Sequence, residues 1–374
     1  MRLLRRLEKA GELNREVEDL PSDEVIEERA ANGKGFTLPE MSVLIAYGKI
    51  SLYKAIVESK IPDNPHLAST LVNYFPSDLH EIGAGVFEKH PLKREILATV
   101  IANDLVNRMG ISFATEKAEK TGAPLEDVVR AYLVVRDIFG LDGIWKDLED
   151  AEGKIPERLR LEATREVIRF VERVTRWFLN NAPRPFKISE LIVQFKGQLE
   201  TFQGELFQIL PLSKKEKAAQ LAKSYEDLGL SKKLSSLISS MDMVAAGPLI
   251  ASLASTCSWP IKDIAELFFW IEQRFSIDNL REKGANFEVT SSWDKQAMTS
   301  MLEYLLHKQG EIAYSILKNS STQQTHDEMI ASWAQEKSVI IHNLDATLDE
   351  IRKSEVVSVS MLTVVSRQLR LLAK

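Results

Sequence analysis

The sequence predicts an all-α protein, a multi-helix array of antiparallel helices in two packed helical subdomains. Apolar residues recur at spacings of three and four along most of the 374 residues, which is the period of an amphipathic helix. Helix-start signals precede these stretches and glycines follow them, whereas only residues 357–361 alternate as a strand would. The connections are short, and short connections favour antiparallel packing of neighbouring helices.

The N-terminal part begins with two helices that carry clear start signals. Ser22, which is followed by two carboxylates, predicts a helix that ends at Gly33 or Gly35. Thr37 and Glu40 have the spacing of a capping box, so a long amphipathic helix is expected to begin there. Its predicted buried face consists of Val43, Tyr47, Ile50, Tyr53 and Val57.

A polar row follows one side of the helix predicted for residues 92–108. Four of its members recur every four residues, opposite a broad apolar face: Glu95, Thr99, Asn103 and Asn107. Buried amides are most often structural hydrogen-bond partners, so we interpret the row as a polar network or interface that fixes helix register. The predicted network comprises Thr99, Asn103, Asp104, Asn107 and Arg108; a ligand site is the alternative.

Glycines and prolines divide the rest of the chain. Gly110, Gly122, Gly140 and Gly153 each follow a helical stretch and are predicted to end it in a left-handed conformation. The long helix predicted for residues 157–180 is interrupted by Asn-Asn-Ala-Pro-Arg-Pro. We place the domain boundary there, which gives an N-terminal subdomain of residues 1–181 and a C-terminal bundle of residues 182–374.

The C-terminal bundle is predicted to contain a series of long helices. Ser213 and Glu216 have capping-box spacing, and the helix they would open is expected to end at Gly229. Trp259-Pro260 marks another helix start. The last three predicted helices cover residues 292–317, 324–352 and 356–372.

Composition excludes several classes of function. The formal net charge of −6 removes the electrostatic basis for binding phosphate backbones, so no nucleic-acid partner is expected. The single cysteine, Cys257, excludes an internal disulfide and a thiolate metal cage, which fits a cytoplasmic location. The charged N-terminus offers no signal peptide. The uncharged stretch at residues 243–261 contains Gly247-Pro248 and several serines, and we interpret it as a buried helix, with no membrane partner.

No complete catalytic or cofactor-binding pattern occurs in the sequence. It contains neither a glycine-rich dinucleotide turn nor a phosphate loop, so no cofactor is predicted to bind this chain. The order of His307, His326, Asp327 and Asp345 resembles the scattered ligands of helical metal-dependent hydrolases. We favour the simpler interpretation that Thr325 to Glu328 is a solvated helix start. No catalytic, cofactor-binding or metal-binding residue is therefore assigned.

Several longer strings carry a family resemblance. They are Pro21-Ser22-Asp23-Glu24, Leu38 to Ile50, Ile61-Pro62-Asp63, Tyr74-Phe75-Pro76, Arg94 to Gly110, and Ala131 to Leu141. The most specific is Asn-Asp-Leu-Val-Asn-Arg-Met-Gly at residues 103–110. These strings resemble the region that follows the catalytic part of the large bacterial NAD-specific glutamate dehydrogenases. The resemblance is strong over residues 2–181 and weaker but collinear afterwards.

The resemblance implies a parent enzyme that oxidatively deaminates L-glutamate to 2-oxoglutarate with NAD. In that family the glutamate and NAD sites lie upstream of the matched part, so no catalytic residue is carried over. The chain would be a C-terminal fragment or excised domain that supports assembly or regulation. Its expected partners are the catalytic region of the parent and further copies in a homo-oligomer.

Overall fold

The fold consists of helices, several of which follow one another after only one to three residues. The structure, a computed structural model, describes residues 2–285, 292–318, 320, 324–354 and 356–374. Within these ranges it contains α-helices and no β-strand, which confirms the all-α prediction. Numbered in chain order, the helices are α1 Arg2–Lys9, α2 Asp23–Ala31, α3 Leu38–Glu58, α4 Ala68–Val72, α5 Ala84–Glu88, α6 Lys93–Met109, α7 Phe113–Thr121, α8 Leu125–Phe139, α9 Leu141–Asp150, α10 Glu157–Asn181, α11 Ile188–Ile209, α12 Leu212–Asp227, α13 Lys232–Val244, α14 Gly247–Cys257, α15 Ile261–Arg274, α16 Ile277–Ala285, α17 Ser292–Leu317, α18 His326–Glu336, α19 Ser338–Lys353 and α20 Val359–Leu372.

The chain forms two compact units. Unit 1 comprises Met1–Asp150 and Arg160–Gln194, and unit 2 comprises Ala151–Leu159 and Phe195–Lys374. Each unit has its own buried apolar core, as expected for a chain longer than one core usually supports. The subdomain limits of 1–181 and 182–374 stay a prediction.

Most of the predicted helix ends are confirmed. Ser22 caps α2 by accepting from the Val25 amide, and Thr37 and Glu40 form the predicted capping box of α3. Positive φ angles occur at the four glycines that were expected to stop helices: Gly110, Gly122, Gly140 and Gly153. These positions suit glycine because a Cβ disfavours a positive φ.

The buried face of α3 differs from the prediction by about one residue. Its buried members are Leu44, Gly48, Leu52 and Ile56. Ile50, from the predicted face, is 47% exposed. A Cβ at Gly48 would lie only 2.3 Å from the Ile111 Cδ1 atom, so α3 packs most closely at its glycine. The pattern of apolar residues did not predict this face, because one of its members is a glycine and glycine is not counted as a hydrophobic residue.

Unit 2 is built around α15 and α17. Helix α15 packs against α14, α16 and α17, and α17 also packs against α18 and α20. Helix α12 pairs with α13. Inside this core the indole nitrogen of Trp333 donates to the Ser315 hydroxyl at 3.2 Å.

Two predicted elements in unit 2 are wrong in detail. Residues 324–352, which were predicted to form one helix, form two, α18 and α19. The break lies at Lys337, where the sequence has no glycine or proline to indicate it. Helix α12 begins at Leu212 after Pro211, so Ser213 lies inside the helix and makes no capping bond. The fixed φ of Pro211 favours a start at this earlier position.

The apolar stretch at residues 243–261 is not one continuous helix. It contains the end of α13, the whole of α14 and the start of α15. Across the described ranges, no single helix combines the length and the apolarity needed to cross a membrane. Only α13 and α14 taken together, with a bend of 56°, reach those limits.

Candidate functional site

The polar row of α6 centres on Asp104, which lies in unit 1. Its Oδ2 atom accepts a hydrogen bond from the Tyr132 hydroxyl at 2.9 Å, and Tyr132 on α8 is fully buried. The Arg108 Nε atom lies 3.9 Å from the other carboxylate oxygen. The hydrogen bond between Tyr132 and Asp104 therefore links α8 to α6.

The other residues of the predicted network lie at the edges of this contact. Asn107 accepts from the Lys49 ammonium at 2.9 Å, and Arg108 pairs with Glu149 on α9. Thr99 is exposed and donates only to the Glu95 carbonyl of its own helix. Asn103 is half-buried, and within the described residues its side chain makes no hydrogen bond. The structure therefore brings Asp104 and Arg108 together and leaves the rest apart.

Sequence reasoning missed Tyr132 and three residues near it: Arg136 and Asp137, which are also on α8, and His66, which precedes α4. The Arg136 Nε atom donates to Asp137 Oδ1 at 2.7 Å, and the His66 ring nitrogen Nε2 lies 2.6 Å from Asp137 Oδ2. Arg136 is only 7% exposed, which is unusual for arginine. Tyr132 and Arg136 are four residues apart on one face, and that spacing was the signal available in the sequence.

The electrostatics of this contact favour a hydrogen bond over a proton relay. Burial raises the pKa of Asp104, while the Tyr132 hydrogen bond and the Arg136 charge act in the opposite direction. Burial, together with the Asp104 charge, also raises the pKa of Tyr132 far above its ordinary value. Tyr132 therefore stays a donor at neutral pH, and the arrangement positions helices.

The four residues considered for a metal-dependent hydrolase are not assembled into one site. His307 lies 3.0 Å from Glu311 on its own helix, and Asp345 is held by both guanidinium nitrogens of Arg274 at 2.7 and 2.8 Å. His326 is the first residue of α18, where Thr325 and Glu328 form a capping box, so the predicted helix start is present. The assignment of no metal ligand to this segment stays a prediction. Within the described residues, no three of His307, His326, Asp327 and Asp345 bring ligand atoms together.

A different set of potential ligands does converge in unit 2. One carboxylate oxygen each from Asp263 and Glu266 and one ring nitrogen of His326 all lie within 4.8 Å of one another. All three side chains are half-buried. The sequence identified His326, but its partners lie about sixty positions earlier in the chain, so no local spacing reveals them.

Unit 2 also contains a cleft of about 260 Å³ beside the Arg274 and Asp345 pair. Trp270 and Trp333 contribute aromatic walls, and His342 lies at the polar side. The Arg274 guanidinium is engaged by Asp345 and stacks over the Phe275 ring at 5.1 Å. The cleft therefore presents apolar surface with its charges already paired.

A buried ion-pair cluster surrounds Glu272 in unit 2. Glu272 is 3% exposed, and its Oε2 atom lies 2.9 Å from the Lys214 ammonium. Arg281 approaches the other oxygen at 3.4 Å, and Asp278 lies 3.5 Å from Lys214. Burial acts to lower the pKa of Lys214, but the Glu272 and Asp278 carboxylates outweigh it and raise that pKa, so the lysine is charged.

Comparison with known proteins gives a consistent result along the chain. The family described as "Glutamate dehydrogenase, C-terminal" matches residues 33–371. An NAD-specific glutamate dehydrogenase of Pseudomonas aeruginosa is 28% identical over 373 residues, which is 100% of this chain. Enzymes with the same name from Halomonas elongata and Mycobacterium tuberculosis are 30% and 27% identical over 89% and 96% of the chain.

These relatives are much longer than this chain. The matched parts make up 23%, 20% and 22% of the Pseudomonas, Halomonas and Mycobacterium proteins, respectively. The chain thus spans about one fifth of the length of the curated relatives it matches.

Proposed function

Because the chain belongs to the family of the glutamate dehydrogenase C-terminal region, we propose that it is a noncatalytic helical part of an NAD-specific glutamate dehydrogenase. Its role is assembly or regulation of the enzyme. The parent enzyme converts L-glutamate to 2-oxoglutarate with NAD in the cytoplasm. The chain itself holds no catalytic or cofactor-binding residue.

The observation that carries this proposal is the extent of the match. Nearly all of this chain aligns with only about one fifth of each relative. The sequence lacks the glycine-rich turn that dinucleotide binding requires, and the described residues form no strand from which such a turn could start. The NAD and glutamate sites would therefore belong to the remaining four fifths.

The polar contacts of unit 1 support a scaffold role over a chemical one. Asp104 and Tyr132 have each other as hydrogen-bond partners, and Arg136 is paired with Asp137. A catalytic group would instead be directed at a site for substrate. The proposed partners are the catalytic region of the parent and, in its oligomer, further copies of the same chain.

A chimeric enzyme tests the proposed role. The matching region of the Pseudomonas aeruginosa enzyme is deleted in one version and replaced by this chain in a second. We expect the deletion to change the oligomeric state, measured by analytical ultracentrifugation, or the response of activity to substrate concentration. The chimera should restore whichever property changed. A deletion that preserves both properties would contradict the role in assembly or regulation.

A further inference from the structure

The group formed by Asp263, Glu266 and His326 differs from the other charged clusters of unit 2. Asp263 and Glu266 are three residues apart on α15 and so share one face of the helix. His326, from α18, places its Nδ1 atom 3.2 Å from Glu266 Oε2. Three donors from two separate helices thus face one small volume.

The two carboxylates of this group lack a permanent positive partner. In the part of the chain that the structure describes, neither Asp263 nor Glu266 has a lysine or arginine nitrogen within 4.0 Å. Other half-buried or buried carboxylates of unit 2 do have one: Asp345 is bound by Arg274, and Glu272 lies beside Lys214. Two like charges this close disfavour each other unless a cation is shared.

We propose that Asp263, Glu266 and His326 bind a divalent first-row transition-metal ion, for which Zn²⁺ is the reference probe. One imidazole nitrogen and two carboxylate oxygens form a donor set that such ions accept. With metal–ligand bonds near 2.0 Å, tetrahedral ligand atoms lie about 3.3 Å apart. The Glu266 and His326 atoms already have this separation, and the partial exposure of the group leaves room for water as a fourth ligand.

The backbone around the three donors is held in place. Thr325 accepts from the Glu328 amide and Glu328 accepts from the Thr325 amide, so a capping box fixes the first turn of α18, where His326 lies. Ile264 and Ala265, between the two carboxylates, are fully buried and anchor α15. A bound ion would therefore tie the start of α18 to α15 without moving either helix, which favours binding.

The same chain offers a matched control for a histidine and carboxylate pair. His307 and Glu311 lie 3.0 Å apart on α17, but Glu311 also pairs with Lys308, and the two form no three-ligand group within the described residues. If a histidine beside a single glutamate were enough to bind the ion, both pairs would do so. Only the group with a second carboxylate is expected to bind tightly.

Isothermal titration of the tag-free, chelator-treated chain with Zn²⁺ tests the proposal. We expect one ion per chain, with affinity lower at acid pH because protons compete for the ligands. His326→Gln and Asp263→Asn should each weaken binding at least about 10-fold, since even outer-shell partners of a metal ligand contribute that much. His307→Gln and Cys257→Ser should bind like the original chain.

Thermal unfolding provides an independent readout. Zn²⁺ should raise the unfolding temperature of the original chain and of His307→Gln, but not of His326→Gln or Asp263→Asn, because an ion stabilises only the state it binds. Ca²⁺ should have no such effect, since it needs roughly six to eight oxygen ligands. The metal-free circular dichroism spectra should match, and if one variant unfolds the other supplies the test.

Two results would overturn the site. One is the absence of stoichiometric Zn²⁺ binding by the original chain. The other is full binding retained by a folded His326→Gln or Asp263→Asn variant, which would place the ion elsewhere. Neither result bears on the proposed role in glutamate dehydrogenase, because that role requires no metal in this chain.

Discussion

Asp104 in unit 1, which is half-buried, and Glu272 in unit 2, which is almost fully buried, are both acidic residues at contacts between helices, but they are stabilised in different ways. Asp104 accepts a hydrogen bond from an uncharged tyrosine hydroxyl. Glu272 lies between two cationic side chains, Lys214 and Arg281. The difference shows that one fold can secure a polar helix contact mainly through a hydrogen bond to an uncharged partner, with Arg108 only at 3.9 Å, or through closer and more deeply buried ion pairs. The two solutions should respond differently to mutation.

The largest effect is expected for Glu272→Gln. The change leaves Lys214 and Arg281 near one another without the buried carboxylate they share, and breaking a buried pair in this way costs about 3–5 kcal/mol. Hydrogen exchange measured by mass spectrometry should show faster exchange in α12 and α15. The matched control is Glu282→Gln, which removes an exposed pair with Lys217 between α12 and α16 and should leave exchange unchanged. Equal changes in hydrogen exchange for the two variants would contradict the expectation that the buried ion pair contributes more stability than the exposed one.

An intermediate effect is expected for Tyr132→Phe. It preserves the ring in the core but leaves the half-buried Asp104 without its donor. Because solvent reaches part of this carboxylate, the expected cost is about 1 kcal/mol, the lower end of the cost of an unsatisfied buried acceptor. Chemical denaturation followed by circular dichroism would measure the loss of stability, and hydrogen exchange in α6 and α8 would assign it to unit 1. Tyr74→Phe, at a side chain that is 54% exposed, serves as the control. A Tyr132→Phe variant as stable as the original would show that this hydrogen bond makes no net contribution to the free energy of unfolding.

A smaller, pH-dependent effect is expected for Asp104→Asn. The pKa of Asp104 is raised in the folded state, so its favourable contribution is present at acid pH and is lost as the pH rises through that pKa. Asparagine can still accept from Tyr132 and does not ionise. The variant should therefore gain stability relative to the original chain as the pH rises, measured as the difference in unfolding free energy from pH 4 to pH 8. A difference that stays constant, or changes in the other direction, would contradict this assignment.

The smallest effect is expected for Asn107→Ala. Asn107 is exposed, and its one side-chain hydrogen bond within the described residues comes from the Lys49 ammonium. The change should therefore alter the unfolding free energy by no more than about 0.5 kcal/mol. The same denaturation experiment measures it. A loss comparable with that of Tyr132→Phe would mean that the predicted polar row acts as one unit, contrary to the separate contacts in the structure.

Local signals in the sequence were sufficient for the fold class and for several of the helix starts, but not for the start of α12. Thr37 with Glu40, and Thr325 with Glu328, form their capping bonds within one turn, so neighbours in sequence determine them. The break at Lys337 had no such signal, since no glycine or proline accompanies it.

The candidate sites also could be predicted only in part from local signals in the sequence. The pattern on α6 identified Asp104 and Arg108, but the partner of Asp104 is Tyr132 on another helix. Likewise, His326 was identified as a possible ligand, whereas Asp263 and Glu266 come close to it only through the packing of unit 2. Side chains that meet across helices require the fold, because their spacing in sequence is arbitrary.

We propose that this chain supports a glutamate dehydrogenase without performing its chemistry. This proposal is tested by measuring the rate of NADH formation by the purified chain at high concentration, with saturating L-glutamate and NAD. We expect a rate indistinguishable from that of a sample without protein. Saturable turnover that depends on both glutamate and NAD would contradict it.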